Sequence, residues 1–172
     1  MKNILKFLLT LLIFVSCNEK NSNQNTSEIK VEINIILDDW HLSAANADFS
    51  NYFSKMDSAS VFIGTDASEN WNKKQFKKFS KPYFDRGKAW SFKPVERNMY
   101  VGAEKKIVWF DELLDTWMGI CRGSGVLEKT KNSWKIKHYI LSVAIPNDAI
   151  QKVITVKKEK DSLLLREILS KH

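Results

Sequence analysis

The sequence predicts an α+β fold in which helices come first and an antiparallel sheet follows. Three observations support this class. Apolar residues recur at helical spacing from residue 28 to residue 44, a short β-rich run and an amphipathic helix occupy the middle of the chain, and four segments of strand-like alternation lie between residues 89 and 145. With 44% hydrophobic residues among 172, the chain has enough apolar side chains for the core of one domain.

Residues 1–16 combine two lysines with a short apolar run and end directly before a cysteine. Lys2 and Lys6 precede an uncharged apolar run at 7–15, which is shorter than the roughly 20 residues that a membrane-spanning helix needs. The run leads to Phe14-Val15-Ser16-Cys17, which resembles a lipobox, although a lipobox usually has leucine where Phe14 stands. The resemblance implies a bacterial lipoprotein signal peptide at 1–16, with lipid on Cys17 that anchors the chain to a membrane. An ordinary secretory signal and an uncleaved anchor are the alternatives.

Charge and cysteine content narrow the classes of function. The formal net charge is +7, and loss of the two signal-peptide lysines leaves +5. This excess permits attraction to anionic lipid head groups, whereas nucleic acid is not predicted as a partner because no binding motif is present. Cys17 and Cys121 are the only cysteines, so lipid on Cys17 leaves no disulfide. Cys121 is predicted to be a buried thiol.

The mature chain is predicted to begin with the lipidated cysteine and a flexible tether at 17–27, because 18–27 has no apolar side chain to bury. From Glu28 the pattern fits both a strand and a helix. We prefer the helix, since the apolar stripe continues through Trp40 for four turns without a turn signal. A second short helix is predicted with its apolar residues at helical spacing: Phe49, Tyr52, Phe53 and Met56.

The middle of the chain is predicted to contain one strand and one further helix. The run 59–64 is rich in β-forming residues and ends in a glycine. Asn72 and Gln75 have the spacing of a capping box for a helix from Lys73, which Pro82 is expected to bend or end. The lysines on the outer side of this helix are predicted to be solvated, with membrane contact as the alternative.

Four strands are predicted at 89–101, 106–117, 119–129 and 133–145. Because the intervening turns are short, the strands should form an antiparallel meander. The charged segment that follows is predicted to be a helix that either packs on the domain or projects from it. The folded domain is therefore assigned to 28–145 and a helical extension to 146–172.

Five segments of the chain are distinctive when they are taken in order: AANADFSNYF at 44–53, VFIGTDASENW at 61–71, VWFDE at 108–112, GVLE at 125–128 and WKIKHYILS at 134–142. Together these segments resemble the SnoaL-like family. SnoaL shares a cone-shaped α+β fold with nuclear transport factor two and ketosteroid isomerase. In that fold a strongly bent antiparallel sheet wraps around N-terminal helices and leaves a pocket. The resemblance implies this fold for most of the chain, and it says little about function, since many members have no assigned activity.

Asp111 and His138 are the candidate catalytic residues. Each occurs among apolar residues on one face of a predicted strand, and if both faces point into the cone, the two side chains approach each other with Arg122 on the strand between. A carboxylate beside an imidazole can move a proton, so Asp111 would be the general base and His138 would assist. The alternative is a structural network that holds the strands together.

An aromatic pocket is the candidate ligand-binding site. Its predicted lining is Trp40, Trp71, Phe79 and Trp109, together with Arg122. The histidines and cysteines lack metal-ligand spacing, and no glycine-rich phosphate loop occurs, so no metal and no cofactor are predicted.

Three functions remain open at this point. The preferred one is a non-catalytic binding module, lipid-anchored in the cell envelope on the periplasmic or surface face of a bacterial membrane, whose pocket takes a small apolar or amphipathic molecule. The second is an enzyme of isomerase, cyclase or hydratase type with Asp111 as general base. The third is a homodimeric assembly or partner-binding protein that uses the exposed face of its sheet.

Overall fold

The computed structural model describes residues 25–171, and within them the helices and strands follow the predicted order. The helices are α1 (Thr26–Ala45), α2 (Phe49–Ser54), α3 (Lys73–Asp85) and α4 (Ile150–Leu169). The strands are β1 (Met56–Ile63), β2 (Asn70–Asn72), β3 (Lys93–Val101), β4 (Ile107–Thr116), β5 (Gly119–Lys129) and β6 (Trp134–Val143). The predicted signal peptide at 1–16, the lipid site at Cys17 and the tether up to residue 24 lie outside the described residues.

The strands form one curved sheet in the order β2-β1-β6-β5-β4-β3. β3 to β6 are the predicted antiparallel meander, while β1 pairs with β6 in parallel and carries β2 at the edge. β2 has no counterpart among the predicted strands, because three residues are too few to show alternation. Residues 89–92 were expected in a strand but precede β3, and Trp90 and Phe92 pack on the core instead. The α+β class is confirmed.

α1 lies against the inner face of the sheet. Asn25 and Glu28 form its capping box, so the helix includes the last two residues of the predicted tether. Its buried apolar residues recur every three or four positions, as a helix packed on one side requires: Ile29, Ile33, Leu37, Trp40 and Ala44. The helical interpretation of this ambiguous stretch is thereby confirmed.

Two helix ends differ from the prediction. Met56, whose spacing placed it in the second helix, is the first residue of β1, which follows α2 almost directly. α3 starts at Lys73 as predicted, but it continues past Pro82 to Asp85. Pro82 is exposed, so the Lys78 carbonyl that loses its partner lies on the side of the helix where water can solvate it.

α4 packs loosely on the outer face of the sheet. Lys157, Lys160 and Leu164 border a shallow groove together with Ile63 of β1 and Ile140 of β6. No residue of α4 is buried. Cys121, by contrast, is fully buried as predicted. Within residues 25–171, no helix combines the length and apolar character needed to cross a membrane.

Candidate functional site

A cavity of about 210 Å³ opens beside α3, between β1, β2 and the turn that joins β4 to β5. Aromatic side chains form most of its wall. They are Phe62, Trp71, Phe76, Phe79, Tyr83, Trp90, Phe92 and Trp117. The other lining residues are Gly64, Thr65, Glu69, Ala89, Met118 and Leu141. The cavity therefore offers a ligand flat apolar surface and few groups for hydrogen bonding.

The local sequence explains how this wall is built. The capping box of Asn72 and Gln75 fixes the start of α3, and Phe76, Phe79 and Tyr83 then follow at spacings of three and four, which places them on one side of the helix. β2 runs antiparallel to β1, and this pairing sets Trp71 directly opposite Phe62. One helix and one short strand thus bring aromatic residues that are distant in sequence to the same cavity.

The rings of the wall stack on one another. The Phe62 and Phe76 ring centroids are 3.9 Å apart with an interplanar angle of 12°. The Trp71 and Phe79 centroids are 4.3 Å apart at 25°. Stacked rings restrict each other's rotamers, so the wall is formed before any ligand enters.

Trp117 borders the cavity from the turn between β4 and β5. Its side chain is 82% exposed, whereas Trp40 and Trp134 in the core are 1% exposed. A large apolar side chain that is left in water beside a cavity can cover a molecule bound there.

A second polar feature lies inside the cone, around the fully buried carboxylate of Glu112. Nε2 of His41 lies 2.8 Å from Oε1 of Glu112, and the Tyr139 hydroxyl donates to the same oxygen at 2.9 Å. Arg97 donates from Nε to Oε2 at 2.8 Å, and its Nη1 reaches Asp38 on α1, also at 2.8 Å. We call His41, Arg97, Glu112 and Tyr139 the buried cluster. It ties α1 to β3, β4 and β6.

Electrostatics fix the protonation of two members of the buried cluster. Burial opposes ionisation of Glu112, but the hydrogen bonds and positive charge of His41 and Arg97 outweigh it, so the pKa of Glu112 lies below its ordinary value. Burial and the neighbouring carboxylate raise the pKa of Tyr139 well above 10. Glu112 is therefore an anion, and Tyr139 keeps the proton that it donates.

The buried cluster is separate from the cavity. Both oxygens of Glu112 accept hydrogen bonds from the protein, and no member of the cluster lines the cavity. The two features touch only through intervening rings, such as Phe62, whose centroid lies 5.6 Å from that of Tyr139. A carboxylate held in this way stabilises the fold, and it has no free oxygen to take a proton from a ligand.

The structure does not bring Asp111 and His138 together. Both lie on the outer face of the sheet, because the inner, buried residues are Val108, Phe110, Glu112 and Leu114 in β4 and Trp134, Ile136, Tyr139 and Leu141 in β6. In the strand register Asp111 faces Ser124, while His138 faces Val126, two residues further along β5. The two candidate catalytic residues are thus separated by β5, about 10 Å in strand spacing alone. The expectation that they meet inside the cone is wrong.

The predicted ligand-binding residues fall into three groups. Trp71 and Phe79 line the cavity. Trp40 is buried in the core, with its ring 4.9 Å from that of Tyr52 and 4.8 Å from that of Tyr139, so it does not line the cavity. Trp109 and Arg122 lie on the outer face. There Trp109 stacks on Tyr100, and Arg122 Nη1 approaches Asp111 Oδ1 at 3.4 Å.

Sequence reasoning missed Glu112 and His41. The strand at 107–116 carries apolar residues on both faces, so alternation alone does not reveal which carboxylate is buried. Gly123 and Gly125 are the sequence feature that could have identified the buried face, since both lie on the inner face of β5. A Cβ at Gly123 would collide with the Tyr139 hydroxyl, and one at Gly125 would lie 2.8 Å from the Phe110 ring. Glycines two apart therefore mark the crowded face, opposite Glu112 and Phe110.

No group of three or more potential metal ligands of the His, Cys, Asp or Glu type comes together within the part of the chain that the structure describes.

Comparison with known families gives the class of protein. The model of the SnoaL-like domain family matches residues 33–146. This chain therefore belongs to the SnoaL-like family, and the fold implied by its sequence segments is confirmed. No curated protein matches the chain.

Solved structures agree with this fold. An NTF2-like protein of unknown function from Pseudomonas putida is 10% identical with a TM-score of 0.60, over 72% of this chain and 92% of that one. A candidate dehydratase of the NTF2-like family from Streptomyces avermitilis is 9% identical with a TM-score of 0.61, over 71% and 100%. A domain of unknown function with a cystatin-like fold from Nostoc punctiforme is 10% identical with a TM-score of 0.62, over 86% and 100%. At such low identity the similarity shows the fold alone.

Proposed function

We propose that this SnoaL-like protein is a non-catalytic binding module whose aromatic cavity takes a small apolar or amphipathic molecule. The observation that carries the proposal is the preformed wall of stacked rings around an open space of about 210 Å³. A cavity of about 150 Å³ is known to hold one benzene, so this space suits a single ring with a few further atoms. Binding would remove water from apolar surface and cover the exposed Trp117.

A binding role is favoured over catalysis by the placement of the titratable groups. The carboxylate and imidazole of the buried cluster do not line the cavity, and each oxygen of Glu112 is already hydrogen-bonded. Asp111 and His138 lie on the opposite face of the sheet. Among residues 25–171, Glu69 is the one charged residue that lines the cavity.

The proposal is tested with p-cresol, a one-ring amphipathic probe, by differential scanning calorimetry of the full chain. At about ten times its dissociation constant a ligand stabilises the native state by roughly 1.4 kcal/mol, which raises the Tm by about 3 °C. Trp71→Ala should abolish this shift, measured against the variant's own ligand-free Tm. Trp109→Ala removes an equally large side chain from the outer face and should leave the shift intact. Equal shifts in both variants, or none in the parent, would overturn the proposal.

The second part of the proposal is location. The signal-like segment 1–16 and the lipobox-like sequence before Cys17 support a lipid-anchored module at the periplasmic or surface face of a bacterial membrane. In bacterial cells given labelled palmitate, the chain should take up label and Cys17→Ser should not. Label in the Cys17→Ser variant, or in neither protein, would exclude lipid on this cysteine.

A further inference from the structure

Among the residues that the structure describes, the aromatic cavity has one charged lining residue, and it is negative. Glu69 lies at the rim beside Gly64 and Thr65 and is partly buried. No lysine, arginine or histidine of residues 25–171 lines the cavity. The charge that the described lining presents is therefore that of a single carboxylate.

The loop between β1 and β2 fixes the Glu69 carboxylate in this place. The Gly64 backbone N–H donates to the Glu69 carbonyl at 2.9 Å, which closes the loop, and the Asp66 backbone N–H donates to Glu69 Oε2 at 3.2 Å. Gly64 is needed for this arrangement, because a Cβ there would collide with the carboxylate. Within residues 25–171 no ion pair involves Glu69. The cavity therefore holds a positioned carboxylate that forms no ion pair with a described residue.

Aromatic rings and a carboxylate without an ion pair select the same chemical class. A neutral ligand that covered Glu69 would remove hydrogen-bonding water from the carboxylate without supplying a new partner, and an anion would be repelled. A cation with an apolar coat meets both features, because its charge is attracted by aromatic rings and by the carboxylate while its alkyl groups fill the apolar space. Trp71, Trp90 and Trp117 supply indole rings, which bind cations best.

We infer that the ligand of this cavity carries an alkylated ammonium group, held by the aromatic wall and paired with Glu69. This inference rests on the proposed binding function and adds the charge of the ligand to it.

Choline and 3,3-dimethyl-1-butanol are the matched probes, since they have the same shape and differ in a charged nitrogen against a neutral carbon. Titration calorimetry of the full chain should show choline binding about tenfold more tightly than the alcohol. Glu69→Gln keeps an oxygen to accept from Asp66 and removes the charge, so it should weaken choline about tenfold and leave the alcohol unchanged. Glu104→Gln makes the same charge change at an exposed site and should alter neither affinity.

The outcomes separate this inference from the proposed function. If the alcohol binds as tightly as choline, or if Glu69→Gln and Glu104→Gln behave alike, the charge selectivity is wrong and the apolar cavity stands. The same conclusion follows if p-cresol binds and choline does not. If p-cresol does not bind, the proposed function fails, and this inference, which rests on it, fails with it.

Discussion

At the scale of single residues, the two adjacent carboxylates at 111 and 112 differ completely in their surroundings. Glu112 is buried among His41, Arg97 and Tyr139, whereas Asp111 lies on the outer face and approaches the exposed Arg122. Neighbouring residues of a strand point to opposite faces, so an error of one position in phase exchanges the interior for the exterior. The sequence analysis chose Asp111, whereas the buried carboxylate of this strand is Glu112, because apolar residues on both faces do not reveal which face is buried.

Substitution of the two carboxylates tests this difference in surroundings through the free energy of unfolding. Glu112→Gln leaves the buried Arg97 without its full counter-charge, so it should lower the free energy of unfolding at pH 7 by about 3 kcal/mol. Asp111→Asn is the matched control one residue away, and it should cost less than about 1 kcal/mol because its ion pair is partly exposed. Urea unfolding of both variants gives the comparison. Similar costs for the two would show that Glu112 is not held as described.

The stabilisation that Glu112 gives to the fold should depend on pH. The folded pKa of Glu112 lies below its ordinary value of 4.5, so the unfolded chain binds the proton first as the pH falls. The stabilisation by Glu112 is therefore complete above about pH 4.5 and is lost as the pH drops through the folded pKa. The difference in unfolding free energy between parent and Glu112→Gln should narrow over that window. A difference that stays constant to low pH would contradict the ionised carboxylate.

At the scale of elements, segments with their own boundary signals were predictable. The capping box at Asn72 gave the start of α3, and the long apolar stripe gave α1 despite an alternative strand pattern. The end of α3 and the strand β2 were not predictable, because Pro82 is tolerated on an exposed side and β2 exists only by pairing with β1. The sequence left the position of α4 open, and in the structure none of its residues is buried.

Truncation measures how far α4 contributes to the fold. None of its residues is buried, and its described side-chain hydrogen bonds stay within the helix. Deletion of residues 150–172 should therefore lower the free energy of unfolding by less than about 1 kcal/mol. Leu37→Ala in the fully buried stripe of α1 is the positive control and should cost about 2–5 kcal/mol. A truncated chain that is less stable than Leu37→Ala would show that α4 belongs to the core.

At the scale of the whole molecule, the cone is filled at its centre and open at one edge. Trp40, Tyr52 and Tyr139 pack against one another inside, so the space that remains lies beside α3 and β2. The sequence analysis predicted an aromatic pocket, and of its predicted lining Trp71 and Phe79 border the cavity. It did not distinguish these from Trp40 and Trp109, because burial of each ring depends on which other rings reach the same place, and that is decided by the packing of the complete fold.

The most direct test of the cavity is the set of indole N–H signals in the NMR spectrum of the full chain, titrated with p-cresol. Six tryptophans give six signals, which single Trp→Phe variants assign. We predict that the signals of Trp71, Trp90 and Trp117 move together and saturate, while those of Trp40, Trp109 and Trp134 stay in place. Movement of the Trp109 signal without the cavity set, or no movement at all, would contradict a binding site beside α3.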